Sequence, residues 1–480
     1  MTLTDVTTLL PLAFLLVWAV LLLMADLWIP SDKKGWTAAL AAVGMLVSLV
    51  ITVVQSGNNQ TAFNGMAVVD GFARFLDVLF LTSGIVAVGL AYNYLKRMDL
   101  EKGEYYILLL FSISGMMLMT YANDLIIVFL SLELLSIPLY VLTGFAQKWI
   151  ESEEASLKYF LLGTFGAAFV LFGIALIFGG TGHTDLPGIL VSTKTGVFHF
   201  IYLVGSAFLL VGFAFKIAVV PFHQWAPDVY QGAPTPVTGF MAIGAKAAGI
   251  AALLRVFFTA FQGVSDAMIP VLWALAALTM VIGNVTALAQ TNIKRLLGYS
   301  SIAHGGYLMM AFVSYGQQGT QTQAVSSMLF YMAAYALTSF AAWAVVIARE
   351  QKEGRGLELA DFAGMGKKHP WLALSMMIAM FSFTGVPLTL GFWGKFYLFR
   401  TAVQGGYEVL ALIGLLSSVV SAYYYLKIVV LMYMQPGEPE VMNDRWLTLI
   451  AVVSAACVLL ISLAPQLLIN WVSNALLLVQ

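Results

Sequence analysis

The chain has 480 residues, 61% of them hydrophobic and 10% charged, with a mean hydropathy of +0.90 and a net charge of -1. Soluble domains carry roughly 25% charged residues, so this composition belongs in a membrane. The near-neutral balance excludes a nucleic-acid partner, which would require a basic face.

The single cysteine, Cys457, can build no iron–sulfur cluster, zinc site or internal disulfide and is expected to be a small residue among helices. The first apolar stretch, Leu9 to Ile29, has no basic residues ahead of it and is long enough to span a bilayer. It reads as the first helix and not as a signal peptide.

From there apolar runs of roughly 18 to 25 residues recur to the end of the chain, about fourteen in all. They lie near 8–29, 36–55, 72–94, 104–120, 124–146, 156–179, 198–225, 236–262, 268–289, 295–315, 323–348, 371–402, 407–434 and 446–472. The expected fold is an all-α polytopic membrane protein.

Loops after odd-numbered helices carry Lys33, Lys34, Lys96, Arg97, Lys102, Lys148, Lys294, Arg295, Arg349, Lys352, Arg355, Lys367, Lys368 and Arg445. Loops after even-numbered helices carry only Lys194 and Arg400. The positive-inside rule therefore places the odd loops in the cytoplasm and both termini outside.

The seventh run contains Pro221 and the twelfth Pro387, each inside the run. Proline removes a backbone donor and crowds the preceding turn, so both helices should be discontinuous. Irregular backbone at membrane depth is tolerated only where protein or water covers it. The breaks are five helices apart, and a tandem five-helix unit must return with opposite topology. Two inverted five-helix repeats are expected, helices 4–8 and 9–13, within segments 1–103, 104–262, 263–435 and 436–480.

Glu133, Lys216, Lys246 and Lys395 each stand deep inside an apolar run. A charge at mid-bilayer costs between about 3 and 17 kcal/mol, so such residues mark ion or proton pathways. Glu133 and Lys216 are expected to form an ion pair whose separation would release the lysine's proton. Lys246, among small residues and without an acidic neighbour on its own helix, and Lys395 are expected to carry protons, with His304 as a relay between them. Lys158 is expected beside the Glu133 pair, and His223 at the first break, near an outer mouth. Arg74 and Arg255 are expected to snorkel to an interface. Asn284 and Thr286 fit a glycosylation sequon but fall within a helix, and no P-loop pattern is present.

These motifs resemble a known family. The run from Leu130 through Glu133 to Pro138 is similar to the fifth helix of the antiporter-like membrane subunits of respiratory complex I, and Glu154 to Phe160 to the start of their sixth. Lys216 with Val220 to Asp228, Ala233 to Pro236, and Gln290 to Ser301 carry the resemblance onward, so that it covers helices 4 to 13. Lysine at position 395, where M-type and Mrp-type antiporter subunits usually carry glutamate, points to the N-type branch of that family.

The resemblance implies that Glu133, Lys216, Lys246 and Lys395 carry protons. It implies no cofactor in this chain, with FMN, iron–sulfur clusters and quinone in partner subunits. The implied partners are M-type and L-type antiporter-like subunits, a K-type small subunit and membrane lipid, in a bacterial inner membrane. A plastid or cyanobacterial version of the complex shares the motifs. Asn292 and Gly298 depart from the Asp and Ala common in the tenth-helix motif. A Mrp-type sodium/proton antiporter subunit and a non-pumping scaffold are the alternative readings.

Overall fold

The computed structural model describes residues 3–475 and 477, apart from 56, 58, 195–198, 263–264 and 317–318. In chain order the helices begin with α1 (Leu3–Thr8), α2 (Leu10–Asp26), α3 (Gly35–Val54), α4 (Gly71–Arg97), α5 (Glu104–Tyr121), α6 (Leu125–Thr143) and α7 (Ile150–Thr181). Then come α8 (Leu186–Lys194), α9 (His199–Lys216), α10 (Trp225–Gly232), α11 (Thr235–Phe240), α12 (Lys246–Ala260), α13 (Ser265–Leu288) and α14 (Ile293–Phe312). The chain closes with α15 (Gln321–Arg349), α16 (Met365–Lys368), α17 (Pro370–Thr384), α18 (Leu390–Gln404), α19 (Glu408–Met434), α20 (Arg445–Leu463) and α21 (Pro465–Asn474). Among the described residues, ten helices are long and apolar enough to cross a membrane, and three shorter apolar helices accompany them.

One small feature departs from an all-helical reading. Strands β1 (Gln60–Ala62) and β2 (Ala67–Val69) form an antiparallel hairpin between α3 and α4, in the register Gln60 to Val69. It ends at Asp70, whose carboxylate caps α4 by accepting from the Ala73 N–H.

Both proline runs are broken as expected. The seventh splits into α9 and α10 around Ile217 to Gln224, and the twelfth into α17 and α18 around Gly385 to Thr389. Gly385 ends α17 at φ +90°, a conformation that glycine adopts without a Cβ penalty. A third irregularity has no proline: α11 and α12 are joined by a single π turn, Met241–Ala245, and the next residue is Lys246. Such turns recur at functional sites because they redirect side chains without ending the helix.

All fifteen residues of α12 are buried, so this helix is the axis of the bundle. The apolar side chains of α3, α7, α19 and α20 remain broadly exposed, as expected of helices that meet lipid. The N-terminal helices are tied to the axis by charge. Arg255 of α12 makes a bidentate ion pair with Asp70, at 2.6 and 2.9 Å, and donates to the Thr120 carbonyl at 2.7 Å. Arg255 is fully buried, which corrects its reading as a snorkelling residue: α12 touches no lipid along its length, so its guanidinium has no interface to reach. Arg74 lies in the same cluster, within electrostatic reach of Asp70, Asp77 and Tyr121.

Candidate functional site

At the first break, Lys216 is the last residue of α9. Its ammonium donates to Ser136 Oγ of α6 at 2.8 Å and to the Tyr159 hydroxyl of α7 at 3.2 Å. Tyr159 is held in turn by stacking on Trp225, 4.7 Å between ring centroids, and the Trp225 indole donates to the Phe215 carbonyl, which also accepts from the Ala218 N–H within the break. The freed backbone is thus satisfied inside protein, as membrane depth requires.

Glu133 stands one turn before Ser136 on α6 and is half-buried, within electrostatic reach of Lys216. The expected ion pair is not formed, since no carboxylate lies within 4 Å of Lys216 among the described residues. The ammonium is instead satisfied by two hydroxyls. The link between Glu133 and Lys216 runs through space, with Ser136 between them.

The stem of Lys216 lies against Gly249 of α12: a Cβ built there would stand 3.2 Å from Lys216 Cγ and 2.7 Å from Ile217 Cγ2. Gly249 is one turn from Lys246, so the Lys216 stem packs against the axis helix within a turn of the Lys246 backbone. The Lys246 ammonium donates to the Ser301 carbonyl of α14 and lies beside Gly305. His304, one turn beyond Ser301, is gripped by two hydroxyls: Nδ1 by Tyr331 of α15 and Nε2 by Tyr425 of α19 at 3.0 Å. Tyr425 also meets Ser300 Oγ at 2.5 Å.

At the second break the Lys395 ammonium donates to the Thr384 carbonyl at 2.9 Å and to Ser418 Oγ at 2.6 Å. Thr384 is the last residue of α17, and a cation belongs at the negative end of a half-helix. The same ammonium sits 4.9 Å above the Tyr307 ring, and that ring lies 5.7 Å from His304. Lys216, Lys246, His304 and Lys395 are all at most 5% exposed. Lys246 and Lys395 both lie within electrostatic reach of His304, and Lys216 adjoins the axis helix at Gly249.

Two candidates fall outside this group. Lys158 pairs with Glu154 and Asp228, each at 2.7 Å, and Asp228 also takes Arg295 at 2.7 Å. This partly exposed cluster, not Glu133, is its setting, because Lys158 points away from the face on which its neighbour Tyr159 meets Lys216. His223 lies in the turn before α10, half-buried, with Nδ1 unpaired among the described residues. Gln231 near the far end of α10 meets Arg295 at 3.2 Å, and His223 precedes the opposite end of that short helix.

Other residues enter the site without having been anticipated. Asn284 of α13 donates to the Tyr307 hydroxyl at 3.1 Å and accepts from Tyr424 at 2.8 Å, steadying the ring beneath Lys395. Lys294, counted among loop residues by its position, is 2% exposed and donates to the Ala233 carbonyl at 2.6 Å. Asn292 caps α14 by accepting from the Lys294 and Arg295 N–H groups, a task Asn performs as well as Asp. At Gly298 a Cβ would meet nothing nearer than 3.5 Å, so both departures from the tenth-helix motif leave the backbone unchanged.

A helical membrane bundle with two broken spans, each seating a buried lysine beside a third on the axis, defines an antiporter-like membrane subunit. Residues 122–421 match the family described as NADH:quinone oxidoreductase/Mrp antiporter, TM. NADH-quinone oxidoreductase subunit N of Trichlorobacter lovleyi is 44% identical over 98% of this chain and 97% of its own length. A chain of respiratory complex I from Thermus thermophilus superposes with TM-score 0.83 at 34% identity, covering 97% of this chain and 99% of that one. A chain of the Mrp complex from Dietzia sp. superposes with TM-score 0.85 over 99% and 97% of the two chains. At 20% identity that match speaks for the fold alone. The chain belongs to the subunit N family of NADH-quinone oxidoreductase, respiratory complex I.

Proposed function

We propose that the chain translocates protons across the membrane along the row Glu133, Lys216, Lys246, His304 and Lys395, driven by redox chemistry in partner subunits. The observation that carries this reading is continuity. From Lys216 the row passes along Gly249 to Lys246, over Ser301 to His304, and through Tyr307 to Lys395.

In this reading Glu133 sets the charge of Lys216 from a distance, and Ser136 and Tyr159 hold the ammonium until that charge changes. Lys246 receives the proton next, His304 relays it, and Lys395 delivers it at the second break. Moving one charge against the membrane potential costs about 2.3 kcal/mol per 100 mV, within the range that a displaced buried charge supplies. In this reading electron transfer takes place in partner subunits.

Counting α9 with α10 and α17 with α18 as single broken spans gives about fourteen crossings. The repeats then occupy 104–262 and 263–435, with both termini on the periplasmic side of a bacterial inner membrane. M-type, L-type and K-type subunits are the proposed neighbours.

The test is proton pumping by the assembled complex in sealed vesicles, with NADH:ferricyanide activity as the assembly control. Lys246→Ala and Lys395→Ala should each lower pumping by about 10²-fold, the scale of a lost proton-transfer group. Pumping at the wild-type rate in both would overturn the reading.

A further inference from the structure

We propose that the groove between α15, α18 and α21, at the outer end of the second half, seats the headgroup of an anionic phospholipid, with Arg400 as its cation. The site stands apart from the proton row and rests only on the orientation proposed above. The groove holds about 150 Å³, roughly ten times what one water needs and room for a phosphate with its glycerol oxygens. Its polar lining is Arg400, Gln323, Gln404, Ser326, Ser473 and Tyr397.

Arg400 is exposed one turn before the end of α18, about 6 Å along the helix axis. Among the described residues it makes no ion pair and no hydrogen bond, although Tyr397 is within electrostatic reach. After even-numbered helices only Lys194 and Arg400 occur, so a cation here runs against the bias of the whole chain. Its guanidinium presents five donors in a planar fork that matches a phosphate bidentately. The amides of Gln323 and Gln404 and the hydroxyls of Ser326 and Ser473 stand around the same space as further donors. No aspartate or glutamate lines the groove, so the ammonium of a zwitterionic headgroup finds no partner and a net negative headgroup is favoured.

The walls place the groove at headgroup depth. On α21, Gln466, Asn470 and Ser473 share one side, while Leu467 and Trp471 are exposed and Leu468 and Val472 are buried. A helix of that pattern lies in the plane of the membrane interface. Gln323 is the third residue of α15, so that wall is also a helix end. Phe330, Ile469 and Val472 give the groove an apolar floor, and Val403 and Leu467, on α18 and α21, are exposed to carry an acyl chain onward.

The three walls are thinly joined to one another. Thr401 donates to Ser327 Oγ at 3.2 Å, and Ser326 donates to the Val472 carbonyl at 3.4 Å. A phosphate gripped from all three sides adds a stronger tie, and it acts on α18, the half-helix that carries Lys395.

The test uses the assembled complex in nanodiscs of phosphatidylcholine with photoactivatable phosphatidylglycerol as a minor component. Illumination should label the α18 and α21 peptides around Val403 and Leu467, and unlabelled phosphatidylglycerol should compete. In complexes matched for subunit content, Arg400→Gln should lower that label about tenfold, the scale of one lost charge-assisted hydrogen bond. Arg400→Lys should keep part of it, having the charge without the fork. Wild-type labelling in Arg400→Gln overturns the site. Inorganic phosphate that displaces the label as well as phosphatidylglycerol does would leave an anion site and overturn the lipid. Should Arg400→Gln lose a subunit, Gln323→Ala at the rim decides: a weaker label supports the site, and a label of wild-type intensity assigns Arg400 to a protein neighbour and overturns it.

Discussion

Lys216 and Lys395 each sit at the open end of a half-helix, but their settings differ. Lys216 ends its own helix and is met by side-chain hydroxyls from α6 and α7, with Glu133 in electrostatic reach. Lys395 reaches back across Gly385 to the last carbonyl of α17, and an aromatic face takes the place of a carboxylate. The two halves therefore share architecture and divide the chemistry. A lysine held by hydroxyls beside a carboxylate responds to a change in that carboxylate, whereas a lysine on a fixed carbonyl and ring responds chiefly to the proton supply reaching it.

The halves also differ in what holds them to the rest of the chain, and here the largest effect is expected. The buried Asp70 to Arg255 pair ties the first half to the N-terminal helices, whereas the second half meets them through Arg97, which donates to the Ile347 carbonyl at 2.8 Å. Removing one partner of a buried pair costs up to about 3–5 kcal/mol, less here to the extent that Arg74 shares the Asp70 charge. Arg255→Met should lower the melting temperature of the purified complex and the amount of chain retained in the membrane, and adding Asp70→Asn should restore part of both. Loss of stability that the double variant does not relieve would show that shape, and not charge, makes this joint.

A smaller effect separates the two lysine seats. Gly249→Ala forces a Cβ against Ile217 and the Lys216 stem, an overpacking that costs about 1–3 kcal/mol and moves the first ammonium. Pumping should fall while Lys395, on the other half, keeps its contacts. Tyr331→Phe removes one hydroxyl from His304 and Tyr159→Phe one from Lys216, at about 1–3 kcal/mol each where a buried partner is left open. If the relay matters more than the first seat, Tyr331→Phe should slow pumping more than Tyr159→Phe, and the reverse order would put the rate-setting step at the first break.

What could be read in the sequence follows from what each signal depends on. Pro221 and Pro387 act on their own backbone, so both breaks were legible from the chain alone. Lys216, Lys246 and Lys395 stood out because lipid forbids them. Partners were harder to read, because they come from other helices. Ser136 and Tyr159 take Lys216 from 80 and 57 residues away, and nothing local distinguished them from Glu133. The burial of Arg255 depends on α12 being the axis, a property of the assembled bundle. Asp70, lying beyond the apolar start of α4, was its nearest written hint. Asn284, dismissed as a sequon, shows the same limit, since its partners Tyr307 and Tyr424 lie on α14 and α19.

The smallest effect is expected outside the membrane, where Asp99 meets Lys352 at 2.6 Å across two loops, both side chains largely exposed. The hydrogen bond and charge of Lys352 hold the Asp99 carboxyl below its usual value. A carboxyl lowered on folding stabilises the fold at pH above its unfolded value of about 3.9, and that stabilisation fades as pH falls through the lower folded value. Water and salt screen an exposed pair, so little is at stake even at neutral pH. Asp99→Asn should leave the melting temperature and pumping of the complex at wild-type levels from pH 6 to 8. A measurable loss of pumping at neutral pH would mean that this surface contact, which links the loop after α4 to the segment after α15, helps to position the second half. The sharp contrast between membrane and loop charges would then no longer hold.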